Sequence, residues 1–438
     1  MNRTPKPILI RGGRLIDPSQ GHDGVADILL VGGYVAGQGA NLGAPDGAEV
    51  IDAAGLVVAP GLVDLHVHLR EPGREDAETI ATGARAAVAG GFTSVCAMPN
   101  TDPVCDNQAA VGFVLAQSHA AGTARVYPIG AVSVGQKGEQ MTEFGELVHA
   151  GAVAVSDDGR PVATAHLMRT ALEYARSFGI PVIDHCEDRS LAEGGAMHEG
   201  LTSSRLGLKG MPRAAEDLIV ARDIALAELT GGHVHLAHMS TAGSVRLIRE
   251  AKSRGVNVTA EVTPHHLTLT DVCCEGYNTN AKMNPPLREH HDVTALKEAL
   301  RDGTIDCIAT DHAPHPYDAK EQEFDFAPFG VVGLETALGL GVVELVEPGT
   351  LALPDLIRRM ATRPAELAHL SGGTLRKGSP ADVVVFDPAA SWTVEPAAFF
   401  SKSRNTPFAG RTLRGRVRWT VVGGLVVHHT AAGGRSIS

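Results

Sequence analysis

Short apolar runs alternate with longer amphipathic segments through the middle of the chain. The runs are rich in β-branched residues and end at polar or glycine positions, which is typical of buried strands. Eight such strands are predicted, at Val63–His68, Thr93–Ala97, Val126–Ala131, Ala152–Ser156, Pro181–Asp184, Val234–Ala237, Asn257–Glu261 and Asp306–Thr310. Helices are predicted between most of them, as at Glu78–Ala89, Ala165–Phe178, Ala214–Leu229 and Ser244–Arg254. This alternation predicts an α/β protein with a (β/α)8 TIM barrel.

A doubly wound parallel sheet is the alternative fold for such an alternation. That fold normally has a glycine-rich phosphate-binding loop after an early strand. The pair Gly90 and Gly91 comes before the predicted strand Thr93–Ala97 rather than after a strand. The barrel is therefore favoured.

The two ends of the chain have a different pattern, in which short β-branched runs are broken by glycine, proline and aspartate. The N-terminal part contains ILIRGGRLID, ADILLVGGYVAGQG and AEVIDAAGLVVAPG, and the C-terminal part contains SPADVVVFDP and RGRVRWTVVGGLVVHH. These runs predict antiparallel strands. We therefore expect a small β-sandwich domain built from residues 1–58 and 372–438, and a barrel domain of residues 59–371.

Composition narrows the class of partner and the compartment. The chain has 438 residues, of which 44% are hydrophobic, and a formal net charge of −12. This charge argues against nucleic acid or an anionic membrane as the main partner, because both require clustered cations. No apolar run is long enough to span a membrane, and no signal peptide is recognisable at the N-terminus. The 6 cysteines form no CxxC pair, so reduced thiols and a cytoplasmic location are expected.

Potential metal ligands recur where the predicted strands end. The chemistry of a barrel takes place at the carboxyl ends of its strands. The polar residues at these ends are His66, His68, Asn100, Asp157, Asp158, Asp184, His185, His238, Asp311, His312 and His315. Taken alone, any one of these residues is more often a helix cap or a polar residue whose hydrogen bonds are structural. Their recurrence at several strand ends predicts one shared site.

The pair His66 and His68 shows the geometry that this site requires. Residues two apart on a strand face the same side, so both imidazoles point one way, with Val63, Leu65 and Val67 on the other face. Four histidines and two carboxylates suit zinc, with cobalt or manganese as alternatives. Six ligands suit two metals that share a bridging carboxylate. Two metals roughly 3.5–4 Å apart would hold a bridging hydroxide and polarise a carbonyl, which is an apparatus for hydrolysis.

Two ligand choices stay open on pattern alone. In HVHLAH, His233 and His235 share a strand face, whereas His238 has the opposite parity. In SDDG, either Asp157 or Asp158 could be the ligand. The downstream aspartate is favoured if the strand has already turned into the loop.

With these residues in place, the chain resembles the dihydroorotase family of the amidohydrolase superfamily. The likeness rests on PGLVDLHVHLREPGREDAETIATGARAAVAGGFTSVCAMPNT (Pro60–Thr101) and IATDHAPH (Ile308–His315), supported by AVSDDG, VIDHCED, LAHMST and KMNPPLR. It covers nearly the whole chain. It implies zinc as the cofactor, with two ions per subunit or, as the alternative, one.

The resemblance implies a role for each candidate ligand. The implied set is His66, His68 and Asp311 on one metal, His185 and His238 on the other, and Asp158 bridging them. Many members of the family bridge their metals with a carboxylated lysine instead. This chain has no lysine between Lys137 and Lys209, so it is similar to the branch that uses an aspartate there.

The resemblance also implies contacts to the substrate. Arg70 and Asn100 would hold the carboxylate of dihydroorotate, because the fork of an arginine matches a carboxylate in a bidentate manner. His315 would assist at that end. Three further positions are implied around the ring, namely Asn284 for its amide and the backbone of Phe329 and Gly330 along the wall.

The implied activity is the reversible cyclisation of N-carbamoyl-L-aspartate to (S)-dihydroorotate in pyrimidine (UMP) biosynthesis. A metal-held hydroxide would attack the ring amide, and Asp311 would take its proton and deliver it to the leaving nitrogen. Allantoinase and dihydropyrimidinase (hydantoinase) are the nearest alternatives, and Arg70 discriminates because their substrates lack the same carboxylate. The alternative from another class is a non-catalytic barrel partner of aspartate transcarbamoylase. The expected assembly is a homodimer, with association with aspartate transcarbamoylase as a further expectation.

One long connection has two interpretations. The segment His315–Gly330 reads HPYDAKEQEFDFAPFG and mixes charged residues with phenylalanines. Its length suits an active-site lid, and its charge suits a surface loop.

Overall fold

The computed structural model describes residues 5–431 and 434–436. The chain begins with strands β1 to β5, at Ile8–Asp17, His22–Val31, Tyr34–Gly39, Glu49–Asp52 and Val57–Pro60. β1 pairs antiparallel with β2 and parallel with β4 and β5. Alternating buried residues such as Ile28 and Leu30 place one face of these strands against a core.

Each predicted barrel strand is present, in most cases shorter than the apolar run that predicted it. Strands β6 to β15 are Leu62–Val67, Phe92–Ala97, Arg125–Pro128, Val155–Ser156, Val182–Asp184, Met197–His198, Gly210–Met211, Val234–Leu236, Val258–Val262 and Cys307–Ile308. β11 and β12 form a separate small pair, and the other eight make two parallel sets, β6-β7-β8 and β9-β10-β13-β14-β15. Bridges between Gly130 and Val155 and between Val67 and His312 join the sets at both edges. The eight strands therefore form a ring, as the alternation predicts.

Helices cover the outside of this ring. Helices α1 to α13 are Ile80–Ala89, Gln108–Ala121, Phe144–Ala150, Ala165–Arg176, Arg189–Ala192, Leu201–Leu206, Ala214–Thr230, Ala242–Ser253, His290–Asp302, Tyr317–Lys320, Ala337–Gly341, Leu353–Ile357 and Arg363–Leu367. Single 3₁₀ or π-helical segments lie at Val134–Gln136, Asp271–Tyr277, Thr279–Ala281, Val342–Val346, Arg358–Thr362 and Pro396–Ala398. Threonine side chains cap several of the outer helices, as Thr164 does by accepting from the backbone N–H of Leu167. None of the described helices is long and apolar enough to cross a membrane.

The C-terminal part returns to the first strands and completes one sheet with them. Strands β16 to β19 are Val383–Thr393, Thr412–Val422, Leu425–Ala431 and Gly434–Ser436. β16 pairs with β5, so nine strands from both ends of the chain share hydrogen bonds. The sheet turns back on itself, because the N–H of Val35 donates to Ser379 O at 2.9 Å and that of Ala381 to Gly33 O at 2.8 Å. A β domain made from both termini is thus confirmed, while its limits at residues 58 and 372 stay predictions.

The segment between β16 and β17 reaches the mouth of the barrel. The side-chain amide of Asn405 donates to Ala313 O at 3.0 Å and to Gly330 O at 3.1 Å. The hydroxyl of Ser403 donates to Ala77 O at 2.7 Å. The C-terminal part of the chain therefore helps to fix the loops above the barrel strands.

The first barrel strand does not alternate as simply as its sequence suggests. The register of β6 against β7 is irregular between Asp64 and Val67. Val63 and Leu65 belong to one buried cluster, whereas Val67 belongs to the larger cluster beneath the helices. The expectation that these three residues share one face is therefore wrong, because the irregularity changes the facing of residues along the strand.

Candidate active site

The carboxyl ends of the barrel strands surround an open cavity. Eleven of the twelve predicted site residues line it, namely His68, Arg70, Asn100, Asp158, His185, His238, Asn284, Asp311, His315, Phe329 and Gly330. The twelfth, His66, is fully buried, and its Nε2 lies 3.4 Å from Asp158 Oδ1. The structure thus brings the whole predicted set to one place.

Asp158 lies at the centre of the four histidines. Its Oδ1 is 3.4 Å from Nε2 of both His66 and His238 and 3.6 Å from Nδ1 of His185. Its Oδ2 is 3.4 Å from Nε2 of His68. A carboxylate with histidines near both of its oxygens has the arrangement that a bridging ligand needs.

Asp311 approaches the same group from the end of β15. Its Oδ1 lies 3.0 Å from Nε2 of His68 and 3.6 Å from Nε2 of His66. The ligand atoms of His66, His68 and Asp311 all lie within 4.8 Å of one another, and so do those of His66, Asp158 and His238. These two groups are candidate metal-binding sites.

The hydrogen bonding inside the cluster fits a metal ion. Among the described residues, Nε2 of His66 and Oδ1 of Asp158 are buried atoms without a hydrogen-bond partner. Buried polar atoms are nearly always paired, so two unpaired atoms that face each other fit a cation bound between them. Imidazole nitrogens with carboxylate oxygens suit a divalent metal of the zinc type.

Electrostatics keeps both aspartates ionised. Burial by itself would raise the pKa of Asp158 and of Asp311. The surrounding histidines, with His66 contributing most, outweigh burial and hold both pKa values below the ordinary one. Ionised carboxylates are the form that binds a metal or accepts a proton.

Three polar side chains lie next to ring nitrogens of His66, His68 and His185. Nδ1 of His66 lies 2.7 Å from Glu261 Oε1, and Nδ1 of His68 lies 2.8 Å from Asn100 Oδ1. Nε2 of His185 lies 3.7 Å from Glu187 Oε2. The acceptors beside His66 and His68 favour the tautomers whose Nε2 turns a lone pair toward Asp158.

Glu261 is the participant that the sequence reasoning missed. It ends the predicted strand Asn257–Glu261, is fully buried, and touches His66, His235 and the backbone N–H of His238. A carboxylate at the end of an apolar barrel strand was the available signal. Its neighbourhood could not be read from spacing, because its partners come from two other strands.

The structure places Asp158, and not Asp157, at the cavity. Asp157 accepts hydrogen bonds from the backbone of Val132 and from the backbone and hydroxyl of Ser133, so it ties two loops together. Burial raises the pKa of Asp157 to about 6. The downstream aspartate is therefore the one near the histidines.

His238 is the histidine of HVHLAH that faces the cavity. His233 and His235 both contact Thr259 Oγ1 at 2.8 Å, and His235 also reaches Glu261. His238 has a positive φ of 39°, which turns its side chain away from the strand alternation. Arg70 and Asp311 have positive φ as well, 62° and 47°. Such backbone strain is frequent at functional sites.

Two other strand-end residues lie outside the cavity. Asp184 Oδ2 lies 3.3 Å from a guanidinium nitrogen of Arg222. His312 receives the N–H of Gly333 at Nδ1 and faces Glu78 with Nε2. Both residues are buried structural groups.

Arg70, Asn100 and His315 form the polar end of the cavity. Nε of Arg70 donates to Pro314 O at 3.1 Å, and its NH2 lies 3.4 Å from Nε2 of His315. Burial lowers the pKa of Arg70 to about 10, which leaves it charged at neutral pH. Burial and the Arg70 charge lower the pKa of His315 to about 2, so that ring is neutral.

Asn284, Phe329 and Gly330 form another wall of the cavity, which meets the polar end at His315. The amide of Asn284 donates to Glu187 Oε2 at 2.7 Å. The N–H of Gly330 donates to Lys282 O at 3.0 Å, and Phe329 O lies 2.8 Å from Nε2 of His315. A Cβ on Gly330, which has φ of 139°, would lie 2.8 Å from Ala313 O, so the close approach requires glycine.

The barrel and its ligand cluster define an amidohydrolase. A family model described as "Dihydro-orotase-like" matches residues 55–244. Relatives named Dihydroorotase from Geobacter metallireducens and Anaeromyxobacter dehalogenans are 56% and 57% identical, cover 96% of this chain, and are themselves covered over 99% and 98%. The chain belongs to the dihydroorotase family.

Solved structures of related enzymes have the same architecture. The L-hydantoinase (dihydropyrimidinase) of Arthrobacter aurescens matches with a TM-score of 0.86 at 26% identity, over 98% of both chains. The D-hydantoinase (dihydropyrimidinase) of a Thermus species matches with a TM-score of 0.80 at 28% identity, over 96% of this chain and 95% of its own.

Proposed function

We propose that this enzyme is a metal-dependent dihydroorotase that interconverts N-carbamoyl-L-aspartate and (S)-dihydroorotate. The observation that carries the proposal is a charged arginine, Arg70, in the same cavity as the histidine–aspartate cluster. A ring substrate that bears one carboxylate satisfies Arg70 and presents its amide to the cluster. The high identity to relatives named Dihydroorotase supports the same substrate.

Two zinc ions are the proposed cofactor. His66, His68 and Asp311 would hold one ion, His185 and His238 the other, and Asp158 would lie between them. When bound, such ions polarise a carbonyl and lower the pKa of water to about 7. The unpaired Nε2 of His66 and Oδ1 of Asp158 support this assignment.

Asp311 is the proposed proton carrier. Its Oδ1 faces His68, which leaves Oδ2 to accept a proton from the attacking water and return it to the ring nitrogen. The surrounding histidines hold the pKa of Asp311 below its ordinary value, so the carboxylate is ionised at neutral pH. In the direction of ring closure the same oxygen takes the proton from the carbamoyl nitrogen as the C–N bond forms and gives it to the carboxyl oxygen that leaves as water.

The remaining residues bind and orient the substrate. Arg70 pairs with the carboxylate, and the Asn100 amide nitrogen is available to it because Oδ1 is directed at His68. Asn284 contacts the ring amide, and the backbone at Phe329 and Gly330 limits the depth of the ring. His315, neutral at pH 7, supports the arginine without adding charge.

A substrate comparison tests the proposal. The purified protein is dialysed against zinc-containing buffer, its metal content is determined by elemental analysis, and turnover of dihydroorotate, hydantoin and allantoin is measured. We expect about two zinc ions per chain and turnover of dihydroorotate far above that of the other two. Preferred turnover of hydantoin or allantoin would assign the rival activity, and inactivity of the fully loaded protein would favour a non-catalytic partner.

Assembly and location complete the proposal. We propose a homodimer in the cytoplasm that can associate with aspartate transcarbamoylase. The absence of any disulfide among the six cysteines, all within the described part of the chain, supports a reducing compartment. Light scattering of the protein alone and mixed with aspartate transcarbamoylase tests both associations.

A further inference from the structure

The wall that contains Phe329 and Gly330 belongs to a longer piece of chain, the rim segment, which comprises residues 317–330. Tyr317 and Phe326 of this segment are 75% exposed, whereas Lys320 and Phe324 are almost fully buried. Buried lysines are rare unless their ammonium group is paired. Buried side chains thus anchor the rim segment, and the anchoring hydrogen bonds come from two lysines, Lys320 and Lys282.

Lys320 connects the rim segment to residues 279–282. Its Nζ donates to Thr279 O at 2.9 Å, to Lys282 O at 3.3 Å and to Pro328 O at 2.7 Å. Three acceptors match the three N–H donors of the protonated amine, although burial lowers the pKa of Lys320 to about 7. One side chain therefore joins both ends of the rim segment to the stretch that leads to Asn284.

Lys282 makes the reciprocal connection. Its Nζ donates to Phe324 O at 2.6 Å and to Asp325 O at 3.1 Å. The same ammonium lies 4.6 Å from the centre of the Phe329 ring, within the range of a cation–π contact. The backbone carbonyl of Lys282 receives the N–H of Gly330. Lys282 thus holds both wall residues, two positions before Asn284.

We propose that Lys282 and Lys320 are positioning residues that fix the substrate-contacting wall of Phe329, Gly330 and Asn284. The substrate in this inference rests on the proposed function, whereas the role of the two lysines in holding the wall does not. Of the residues that line the cavity, Lys282 contacts Phe329 and Lys320 contacts Pro328. Removing either lysine leaves buried carbonyls without donors, so the rim segment moves away and the wall is lost.

Kinetics and hydrogen exchange of Lys282→Met and Lys320→Met test this proposal. We expect KM for dihydroorotate to rise about tenfold while kcat falls less than about threefold, because the wall binds the substrate and Asp311 and the metal ligands are untouched. Zinc content should stay unchanged. Amide exchange in a peptide that covers residues 321–331 should become faster in both variants.

The matched control is Lys297→Met on the outer helix α9. Lys297 pairs with Glu344 at 2.9 Å, away from the cavity, so its loss should change neither KM nor exchange in residues 321–331. If a methionine variant fails to fold, Lys320→Gln, which keeps a donor of shorter reach, replaces it. Unchanged KM and unchanged exchange in the folded variants would overturn the proposal. Lack of dihydroorotate turnover by the unaltered protein would overturn the proposed function instead, and the exchange measurement would still decide the role of the lysines.

Discussion

Nδ1 of His66 lies 2.7 Å from Oε1 of Glu261, and both side chains have no exposed surface. The other oxygen of Glu261 lies 3.1 Å from Nε2 of His235. Burial would raise the pKa of Glu261, but the two histidines, His66 first, outweigh it and lower that pKa to about 2. An ionised carboxylate therefore holds the proton of His66 on Nδ1 and keeps Nε2 free for a metal.

Replacement of Glu261 by glutamine should weaken zinc binding about 10- to 100-fold, because the amide cannot accept from both histidines with full charge. Calorimetric titration of zinc into chelator-treated protein measures this affinity directly. Glu173→Gln is the control, since Glu173 is exposed and pairs with Arg169 on α4. Equal zinc affinity in a folded Glu261→Gln protein would show that Glu261 does not tune His66.

Replacement of Arg70 by alanine should raise KM for dihydroorotate about 10- to 150-fold, the equivalent of losing about 1.5–3 kcal/mol of charged hydrogen bonding. The KM of Arg70→Lys should fall between those of the unaltered protein and Arg70→Ala, because an ammonium cannot pair with a carboxylate in a bidentate manner. Steady-state kinetics at saturating zinc is the measurement. Arg74→Ala, at an exposed pair with Asp76, should leave KM as it is. A small effect of Arg70→Ala would remove the main argument for a carboxylate-bearing substrate.

Replacement of Asp311 by asparagine should lower kcat about 10²- to 10⁴-fold, the range for loss of a general acid–base group. Asp311 is also a proposed ligand, so elemental analysis must accompany the kinetics. The informative comparison is kcat per bound zinc. Near-native kcat at full metal content would assign the proton transfer to another group.

Asp306 gives a prediction for the pH dependence of stability. Its Oδ2 lies 2.5 Å from Nζ of Lys252, and its Oδ1 lies 2.9 Å from NH2 of Arg363. Burial would raise its pKa, but Lys252 and Arg363 outweigh burial and lower it. A folded-state pKa below the unfolded value of about 3.9 means that the stabilisation is complete above that pH and is lost as the pH falls through the folded pKa.

Asp306→Asn should therefore lower the free energy of unfolding by about 3 kcal/mol at pH 7, as expected when one partner of a largely buried ion pair is removed. The difference from the unaltered protein should shrink below about pH 4. Urea denaturation at pH 7 and pH 3 compares them. Asp302→Asn, at an exposed pair with Arg249, should cost less than about 1 kcal/mol. A difference that is the same at both pH values would rule out the ionised Asp306 as its source.

The barrel and most of its site could be predicted because both depend on local pattern. Apolar runs of strand length predicted each of the eight barrel strands, and the parallel arrangement brings their carboxyl ends together. Ligands as distant in sequence as His68 and Asp311 thus meet without any local signal that joins them. The choice between Asp157 and Asp158 followed from where the strand turns into the loop.

What the sequence could not reveal is backbone irregularity and contact across elements. Three of the seven non-glycine residues with positive φ in the described ranges are Arg70, His238 and Asp311. Strand parity does not apply to such residues, which is why His238 and not His235 faces the cavity. The irregular register of β6 has the same effect on Leu65 and His66. Glu261 and Asn405 contribute through partners from other elements, which spacing cannot show.

The hydrogen bonds of Asn405 make the order of protein synthesis matter. All predicted ligands and wall residues have been translated once Gly330 is added to the growing chain. The Asn405 amide that donates to Gly330 O comes 75 residues later in the chain than Gly330. It comes 92 residues later than Ala313, to whose backbone oxygen it also donates. A nascent or truncated chain that ends before Asn405 therefore contains every predicted ligand but lacks these two hydrogen bonds to its wall. We therefore expect full activity only after the C-terminal part has joined the barrel.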